Sequence, residues 1–356
     1  MHGGINNLAL NIDIDTDFSV NLNPYGLSDP DRKTVDDAIA EGVANAGAYP
    51  DLLQRDARAA IAVCEGVDAD CVIAGNGASE LITALFNMLS PRKALLFEPA
   101  FSGYARVLSA IRRCSIERFY LSEENGFLIT EDAVSAIGED TDVVILSDPN
   151  NPTGKNIRGE ILARILEKTD DTGIAVVLDE SFYMLSDKST GHIRDMRELL
   201  ERFQNLFILR SYTKSFALPG IRMGYVLSSP ENIRYLAGFL PEWNLSCLSS
   251  SVMKACAKIT GENDFLPASV EFIRNERRFL VEGLEGLGLK VYDSDTVFVL
   301  FRCESGADLY TALLDKKILI RDCADFPGLG KGFYRAAVRC REDNGRLIKA
   351  IGELLR

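Results

Sequence analysis

From about residue 70 to residue 230, short β-branched runs alternate with segments of helical period, and few architectures accept that order. A buried strand, a covering helix and a further buried strand build a mostly parallel sheet with helices on its faces. The strand-like runs are Cys71–Ala74, Ala94–Phe97, Val143–Leu146, Ala175–Leu178, Leu206–Leu209 and Met223–Leu227, and amphipathic stretches such as Gly159–Lys168 lie between them. After Pro241 the texture changes. A long charged helix, Ala268–Leu287, leads to strands Val297–Phe301, Ile318–Arg321 and Tyr334–Val338 and to helices Asp308–Lys316 and Asn344–Leu355. The expected class is α/β: a large domain (31–240) with a mostly parallel sheet flanked by helices, and a small α+β C-terminal domain (241–356). Turn chemistry at Asn23-Pro24-Tyr25-Gly26 and Asp29-Pro30 makes residues 1–30 an N-terminal arm.

Charge narrows the partners. Acidic residues outnumber basic ones 52 to 39, a formal charge of −13, which repels nucleic acid and anionic membrane unless basic side chains cluster. Neither is an expected partner. The eight cysteines fall in no short metal-ligand spacing, and most sit in apolar runs such as Asp70-Cys71-Val72-Ile73; they read as reduced core residues of a cytoplasmic chain. No signal peptide or uncharged apolar span opens the chain or interrupts it, so neither export nor membrane insertion is expected. With His2 and His192 the only histidines, His-clustered metal sites and Ser-His-Asp or Cys-His schemes lack parts. No metal is expected, and the chemistry falls to other groups.

Four segments carry chemistry. Ala74-Gly75-Asn76-Gly77-Ala78-Ser79-Glu80 follows a strand and opens the helix Glu80–Leu89, where glycines and free helix amides suit an anion; a plain turn with a Ser cap reads equally well. Asp148-Pro149-Asn150-Asn151-Pro152-Thr153-Gly154 ends a strand with more rigidity than a solvated turn needs, at the strand end where ligands of open α/β sheets lie. Val176-Val177-Leu178-Asp179-Glu180 brings two acids to another strand end, where a carboxylate can hold a metal, pair with a cation or cap a helix. Leu209-Arg210-Ser211-Tyr212-Thr213-Lys214-Ser215-Phe216 places a lysine just past a strand, with Arg222 nearby. A lysine partly desolvated beside other cations has a lowered pKa and can form a Schiff base with an aldehyde.

In order and spacing these segments resemble the fold-type I pyridoxal-phosphate enzymes, the aspartate aminotransferase superfamily, over nearly the whole chain. The resemblance implies pyridoxal 5'-phosphate as cofactor and Lys214 as its Schiff-base lysine and proton shuttle, because Ser211 through Gly224 matches S-x-T-K-x-F-x-x-P-G-x-R-x-G. It implies Asp179 as the partner of the pyridine nitrogen and Asn151 as the partner of the ring oxygen. It also implies a phosphate cradle of Ala78, Ser79, Ser211 and Arg222, with Phe101 as the stacking aromatic. Tyr49, in Ala48-Tyr49-Pro50-Asp51, resembles a tyrosine that reaches into a neighbouring subunit, so a homodimer with shared sites is implied. For the substrate, Arg335 matches the arginine that grips an α-carboxylate, Arg321 offers a second anion site, and Asn23 and Tyr25 of the arm complete the set.

Two branches of the superfamily act on small phosphorylated substrates: histidinol-phosphate aminotransferases and the threonine-phosphate decarboxylases of cobalamin biosynthesis. The arm, with His2-Gly3-Gly4 and Asp17-Phe18-Ser19-Val20-Asn21-Leu22-Asn23-Pro24, resembles the decarboxylases. So do Ile318 through Leu329, Trp243-Asn244, and Phe182 in place of an aminotransferase tyrosine. Tyr25 in N-P-Y-G resembles the aminotransferases. The implied activity is decarboxylation of L-threonine O-3-phosphate to aminopropanol phosphate; the alternative is a histidinol-phosphate type aminotransferase.

Overall fold

Seven strands form the large sheet: β1 (Val72–Asn76), β2 (Lys93–Glu98), β3 (Ser115–Tyr120), β4 (Val143–Ser147), β5 (Ala175–Asp179), β6 (Leu206–Arg210) and β7 (Met223–Leu227). The computed structural model describes Gly4, residues 13–190 and residues 195–356; His2, Gly3 and His192 lie outside the described residues. The strand order is β1-β7-β6-β5-β4-β2-β3. All run one way except β7, which is antiparallel to both β1 and β6. Strands β4, β6 and β7 are buried at every position, which is why they read as continuous apolar runs in the sequence. β3 is the strand that the apolar runs did not announce. It lies at the sheet edge, carries Glu117 and Arg118, and has no fully buried residue, as an edge that must resist further pairing requires.

Helices cover both faces. α1 (Asp29–Ala44) starts at Ser28, whose hydroxyl accepts from the Asp31 amide, and Pro30 lies in its first turn. α2 (Arg55–Glu65) ends at Gly66 in the left-handed region. α3 (Ala78–Leu89) begins two residues before the expected start, with Gly77 as its cap, so Ser79 stands inside the first turn rather than capping it. α4 (Ser102–Leu108) follows β2, and α5 (Gly159–Thr172) covers the sheet with Ile161, Leu162, Ile165 and Leu166 buried.

The smaller antiparallel sheet has strands β8 (Lys290–Tyr292), β9 (Phe298–Arg302), β10 (Arg321–Asp322) and β11 (Phe333–Ala337), in the order β10-β11-β9-β8. Buried side chains of α6 (Cys247–Glu262) belong to the core of the large sheet. Further along, α7 (Phe265–Glu285) and α8 (Arg341–Leu354) bury Ile273, Leu280, Leu347 and Ile351 against Phe298 and Phe301 of the small sheet. The opposite face of that sheet meets the large core through Tyr292, whose ring lies 5.2 Å from that of Phe127.

The arm is laced into this second sheet region. Thr16 and Asp17 pair in parallel with Ile318 and Leu319, the Phe18 amide donates to Leu319 O at 2.7 Å, and the Ala337 amide donates to Phe18 O at 2.8 Å. The stretch expected as one strand, Ile318–Arg321, is therefore two: Ile318–Leu319 serves the arm, and Arg321–Asp322 serves β11. The cysteines also differ from expectation: all eight are free, but Cys256, Cys303 and Cys323 alone are fully buried, and Cys340 is exposed just before α8. Among the described residues no helix is long and apolar enough to cross a membrane.

One close approach fixes where the sheet meets α3. Gly75 pairs with Gly224 across β1 and β7, and a Cβ on Gly224 would lie 2.7 Å from the amide nitrogen of Ala78. Neither backbone segment can yield without disturbing its own hydrogen bonds. Gly224→Ala is expected to destabilise the fold by about 1–3 kcal/mol, read as a lower urea midpoint at unchanged m; a midpoint equal to the parent's would disprove the close contact.

Candidate active site

A cavity of ≈ 240 Å³ lies at the carboxyl ends of β4, β5 and β6, and its lining includes Ala78, Ser79, Phe101, Asn151, Asp179, Ser211, Lys214, Arg222, Arg321 and Arg335. Strand ends of this kind are where open α/β sheets hold ligands. Residues separated by more than 250 positions in the sequence thus share one space.

Lys214 is held by the turn that ends β6. Ser211 Oγ accepts from the Thr213 amide at 3.2 Å and donates to Met223 O at 2.6 Å, and Thr213 Oγ1 donates to the same carbonyl at 3.0 Å. Two hydroxyls therefore bolt the one-turn helix Tyr212–Ser215 to β7. Lys214 Nζ sits 5.8 Å from the centre of the Phe182 ring. Burial first, then Arg335 and Arg222, push the amine down to about 8, while Asp179 opposes them.

Asp179 closes β5. Its carboxylate accepts from Tyr104 Oη at 2.6 Å and from the Ser181 amide at 2.9 Å. Burial raises its pKa and outweighs the hydrogen bonds from the Ser181 side chain, Tyr104 and the Ser181 amide, and Glu180 adds to the rise. All of these donors are neutral, so a cationic ring nitrogen in the cavity would draw the carboxyl back toward its ordinary range.

At the other end of the cavity, Ala78 and Ser79 supply the first amides of α3, which helical bonding leaves free. Arg222 adopts φ +66° and donates from Nη1 to Pro219 O at 3.2 Å. A Cβ on Gly77 would lie 2.6 Å from Arg222 Nη2, so glycine lets the guanidinium cross the helix N-terminus. Amides, a helix dipole and a fixed cation together could hold an anion such as a phosphate dianion.

The third side belongs to two arginines. Arg335 Nη1 donates to Asn151 Oδ1, and Nη2 donates to Ser19 O at 2.8 Å. Burial pushes Arg335 down to about 10, with Cys323 opposing and Arg321 adding. Arg321 donates to Asp322 O at 2.6 Å and Asp325 Oδ1 at 2.7 Å and lies 5.1 Å over the Phe326 ring. Among the described residues, two buried atoms on the cavity lining have no hydrogen-bond partner: Arg335 Nε and Oδ1 of Asn21, a residue 3% exposed. An unmade bond of this kind costs about 1–3 kcal/mol. A ligand that carries an anionic group and an N–H suits such a pair.

Residues 13–351 match the family model of aminotransferase class I and II. The chain belongs to that family. It is similar to the threonine-phosphate decarboxylase of Salmonella typhimurium, at 32% identity over 95% of this chain and 91% of that one. It is also similar to the histidinol-phosphate aminotransferase of Methanothermobacter thermautotrophicus, at 32% identity over 94% and 87%. Among solved structures, the histidinol-phosphate aminotransferase of Clostridium acetobutylicum superposes with a TM-score of 0.85 at 29% identity, covering 96% of this chain and 99% of that one.

In this family member three of the residues picked out in the sequence do not reach the cavity of their own chain. Tyr49 is 81% exposed, with its ring 4.8 Å from that of Trp243. Tyr25 is half-exposed and packs 5.5 Å from the Phe272 ring. Asn23 is buried beneath the lysine: its amide donates to Lys214 O at 3.0 Å, and Nδ2 donates to Ser215 O at 2.8 Å and Ser269 Oγ at 2.9 Å. Conversely, Tyr104 and Asn21 line the cavity although no role was assigned to them. Tyr104 stands three residues after Phe101 at the start of α4, one helical turn away, and that spacing was the available signal.

The Lys214 amine sets a testable pH dependence. It is half-charged near pH 8 in the folded chain and near its ordinary 10.5 when unfolded, so between those values the unfolded chain holds more protons and this group's contribution to stability rises with pH. Labelling of Lys214 in the cofactor-free protein by an amine-directed reagent should reach half its maximum near pH 8, and Arg335→Gln should move that midpoint upward. A midpoint at the ordinary lysine value would contradict the burial described here.

Proposed function

We propose that this family member binds pyridoxal 5'-phosphate and decarboxylates a phosphorylated amino acid, converting L-threonine O-3-phosphate to aminopropanol phosphate and CO2. The observation that carries the proposal is the gathering of Lys214, a helix terminus with Arg222, and a pair of further guanidinium groups, Arg335 and Arg321, around one cavity. The likeness to the Salmonella typhimurium decarboxylase along almost the whole length supports it.

The residues present fit the cofactor. Its phosphate would take the amides of Ala78 and Ser79 with Ser211 and Arg222; its ring nitrogen would take Asp179, its ring oxygen Asn151, and its ring face Phe101. When bound, pyridoxal phosphate supplies an aldehyde for an amine and a ring that accepts the electron pair left at the substrate Cα. The amine for that aldehyde is Lys214 Nζ, partly neutral near pH 8 because burial and two arginines disfavour its charge. Asp179, anionic beside a cation, keeps the ring nitrogen protonated.

Arg335 and Arg321 orient the substrate by its anions. A phosphate has more charge than a carboxylate and competes better for paired guanidinium groups, which would leave the substrate carboxylate without that grip. The Cα–carboxylate bond would break, its carbon leaving as CO2, and Lys214, protonated from solvent, would deliver to Cα the proton that takes the place of the carboxylate. The apolar Phe182 ring under Lys214 offers no hydroxyl to the ring oxygen, in keeping with the decarboxylase branch. A second copy of the chain would bring its exposed Tyr49 to this site, making a homodimer the working unit. Tyr25 favours a second reading, amino transfer from histidinol phosphate, and the similarity to the aminotransferases agrees with it.

Purified protein with pyridoxal phosphate and O-phospho-L-threonine should release CO2 and aminopropanol phosphate, and histidinol phosphate with 2-oxoglutarate should yield no glutamate. Glutamate without aminopropanol phosphate would reverse the assignment. Lys214→Ala should lose the visible absorbance of the bound cofactor; an unchanged spectrum in that variant would remove Lys214 from the chemistry.

A further inference from the structure

Tyr104 stands in the first turn of α4, three residues after Phe101. Its amide donates to Phe101 O at 3.2 Å, which closes that turn, and its ring meets the Phe101 ring edge-on, at 85° with centroids 5.5 Å apart. A Cβ on Gly103 would collide with the Phe101 ring, so a glycine there lets that ring fold back over the turn. The hydroxyl of Tyr104 reaches across to the end of β5 and donates to Asp179 Oδ2 at 2.6 Å. Tyr104 is 2% exposed and lines the same cavity as Phe101, Asp179 and Lys214. One side chain therefore touches both the aromatic ring and the carboxylate assigned to the cofactor.

Packing alone gives no reason for the hydroxyl. Phenylalanine would fill nearly the same space, and an oxygen buried beside a carboxylate is costly unless the two are bonded. The donor, moreover, is neutral. A lysine, an arginine or a charged histidine in its place would cancel the carboxylate's charge and leave little to attract a cationic ring nitrogen, whereas a hydroxyl stabilises the anion and leaves its charge in place. It is also a donor that persists. Burial first, then the Asp179 charge and the bond to it, raise the Tyr104 pKa well above its ordinary value, with Ser147 opposing, so the hydroxyl keeps its proton throughout the working range. The Ser181 amide holds the other oxygen, Oδ1, at 2.9 Å. A carboxylate oxygen accepts along two lone-pair directions, so the bond from Tyr104 leaves Oδ2 able to take a further donor.

We propose that Tyr104 is a positioning residue that acts through Asp179: its hydroxyl holds the carboxylate as an anion in a fixed orientation, so that the proton shared with the cofactor stays on the ring nitrogen and does not pass to Asp179. The proposal rests on the reading that this cavity holds pyridoxal phosphate with its ring nitrogen at Asp179. Burial and the neighbouring Glu180 both push Asp179 toward its neutral form, and the bond from Tyr104 works against them. A ring whose nitrogen has lost its proton is a weaker acceptor for the electron pair left at Cα. The titratable groups facing Asp179 are Tyr104, Glu180 and Lys214, and Lys214 in turn faces Arg335 and Arg222.

The test uses protein loaded with pyridoxal phosphate that carries nitrogen-15 in its ring, because the chemical shift of that nucleus separates the protonated from the unprotonated nitrogen. The parent should show the protonated form. Tyr104→Phe should lower the ratio of protonated to unprotonated ring nitrogen by about tenfold. It should also raise the pH midpoint of the visible band, since a ring with less positive charge repels less the proton on the nitrogen that Lys214 supplies. Placing 3-fluorotyrosine at position 104 alone, with nearly the same shape and a more acidic hydroxyl, should move that midpoint the opposite way. Damage to packing would move both variants alike, so midpoints that shift in one direction overturn the proposal, as does Tyr104→Phe with the parent's resonance and midpoint. If Tyr104→Phe does not fold, the fluorinated protein decides alone, and a midpoint at or above the parent's overturns the proposal. A parent with neither resonance nor band removes the functional reading and the role of Tyr104 together. A normal band over an unprotonated ring nitrogen in the parent removes the role of Tyr104 alone.

Discussion

An amine kept out of water beside two guanidinium groups is the constraint around which the rest of this structure is arranged. Lys214 loses hydration and meets Arg335 and Arg222, and one carboxylate, Asp179, opposes them. Holding it there takes contacts from three directions. Ser211 and Thr213 anchor its turn to β7, the Asn23 amide donates to the Lys214 carbonyl from below, and the Phe182 ring backs the side chain. The reversed direction of β7 is what brings Met223 O to the lysine turn and Gly224 to α3 at once. One antiparallel strand in an otherwise parallel sheet thereby links the amine to the anion receptor.

Much of this was legible from residue order. Strands buried on both faces have no polar alternation, so β4, β6 and β7 stand out as apolar runs, and the cavity residues sit at their ends in recognisable spacings. What escaped detection has physical reasons. β3 is an edge strand whose polar residues hide its period. The split of Ile318–Arg321 between two partners depends on where the arm lies, which local sequence does not encode. Asn21 and Tyr104 act through what they fail or manage to bond across long sequence separations, and no local pattern reports a missing partner.

The site also separates two kinds of buried polar group. The Asp179 carboxylate is bonded within the chain, to Tyr104 and to the Ser181 amide. Among the described residues, Arg335 Nε and Asn21 Oδ1 have no partner. Preorganised groups cost nothing to align when charge moves, and unbonded groups give binding its selectivity. The division follows the fold: the bonded set belongs to the large sheet and its helices, the unbonded pair to the arm and the small sheet.

The threading of the arm has a consequence for biosynthesis. Phe18 is fixed by Leu319 and Ala337, and Ser19 and Asn21 beside it wall the cavity. The segment around Phe18 must therefore wait for its partners until Leu319 and Ala337 have been translated. Contacts of such long separation form late and slowly, so the nascent chain completes its central sheet well before it owns a finished pocket.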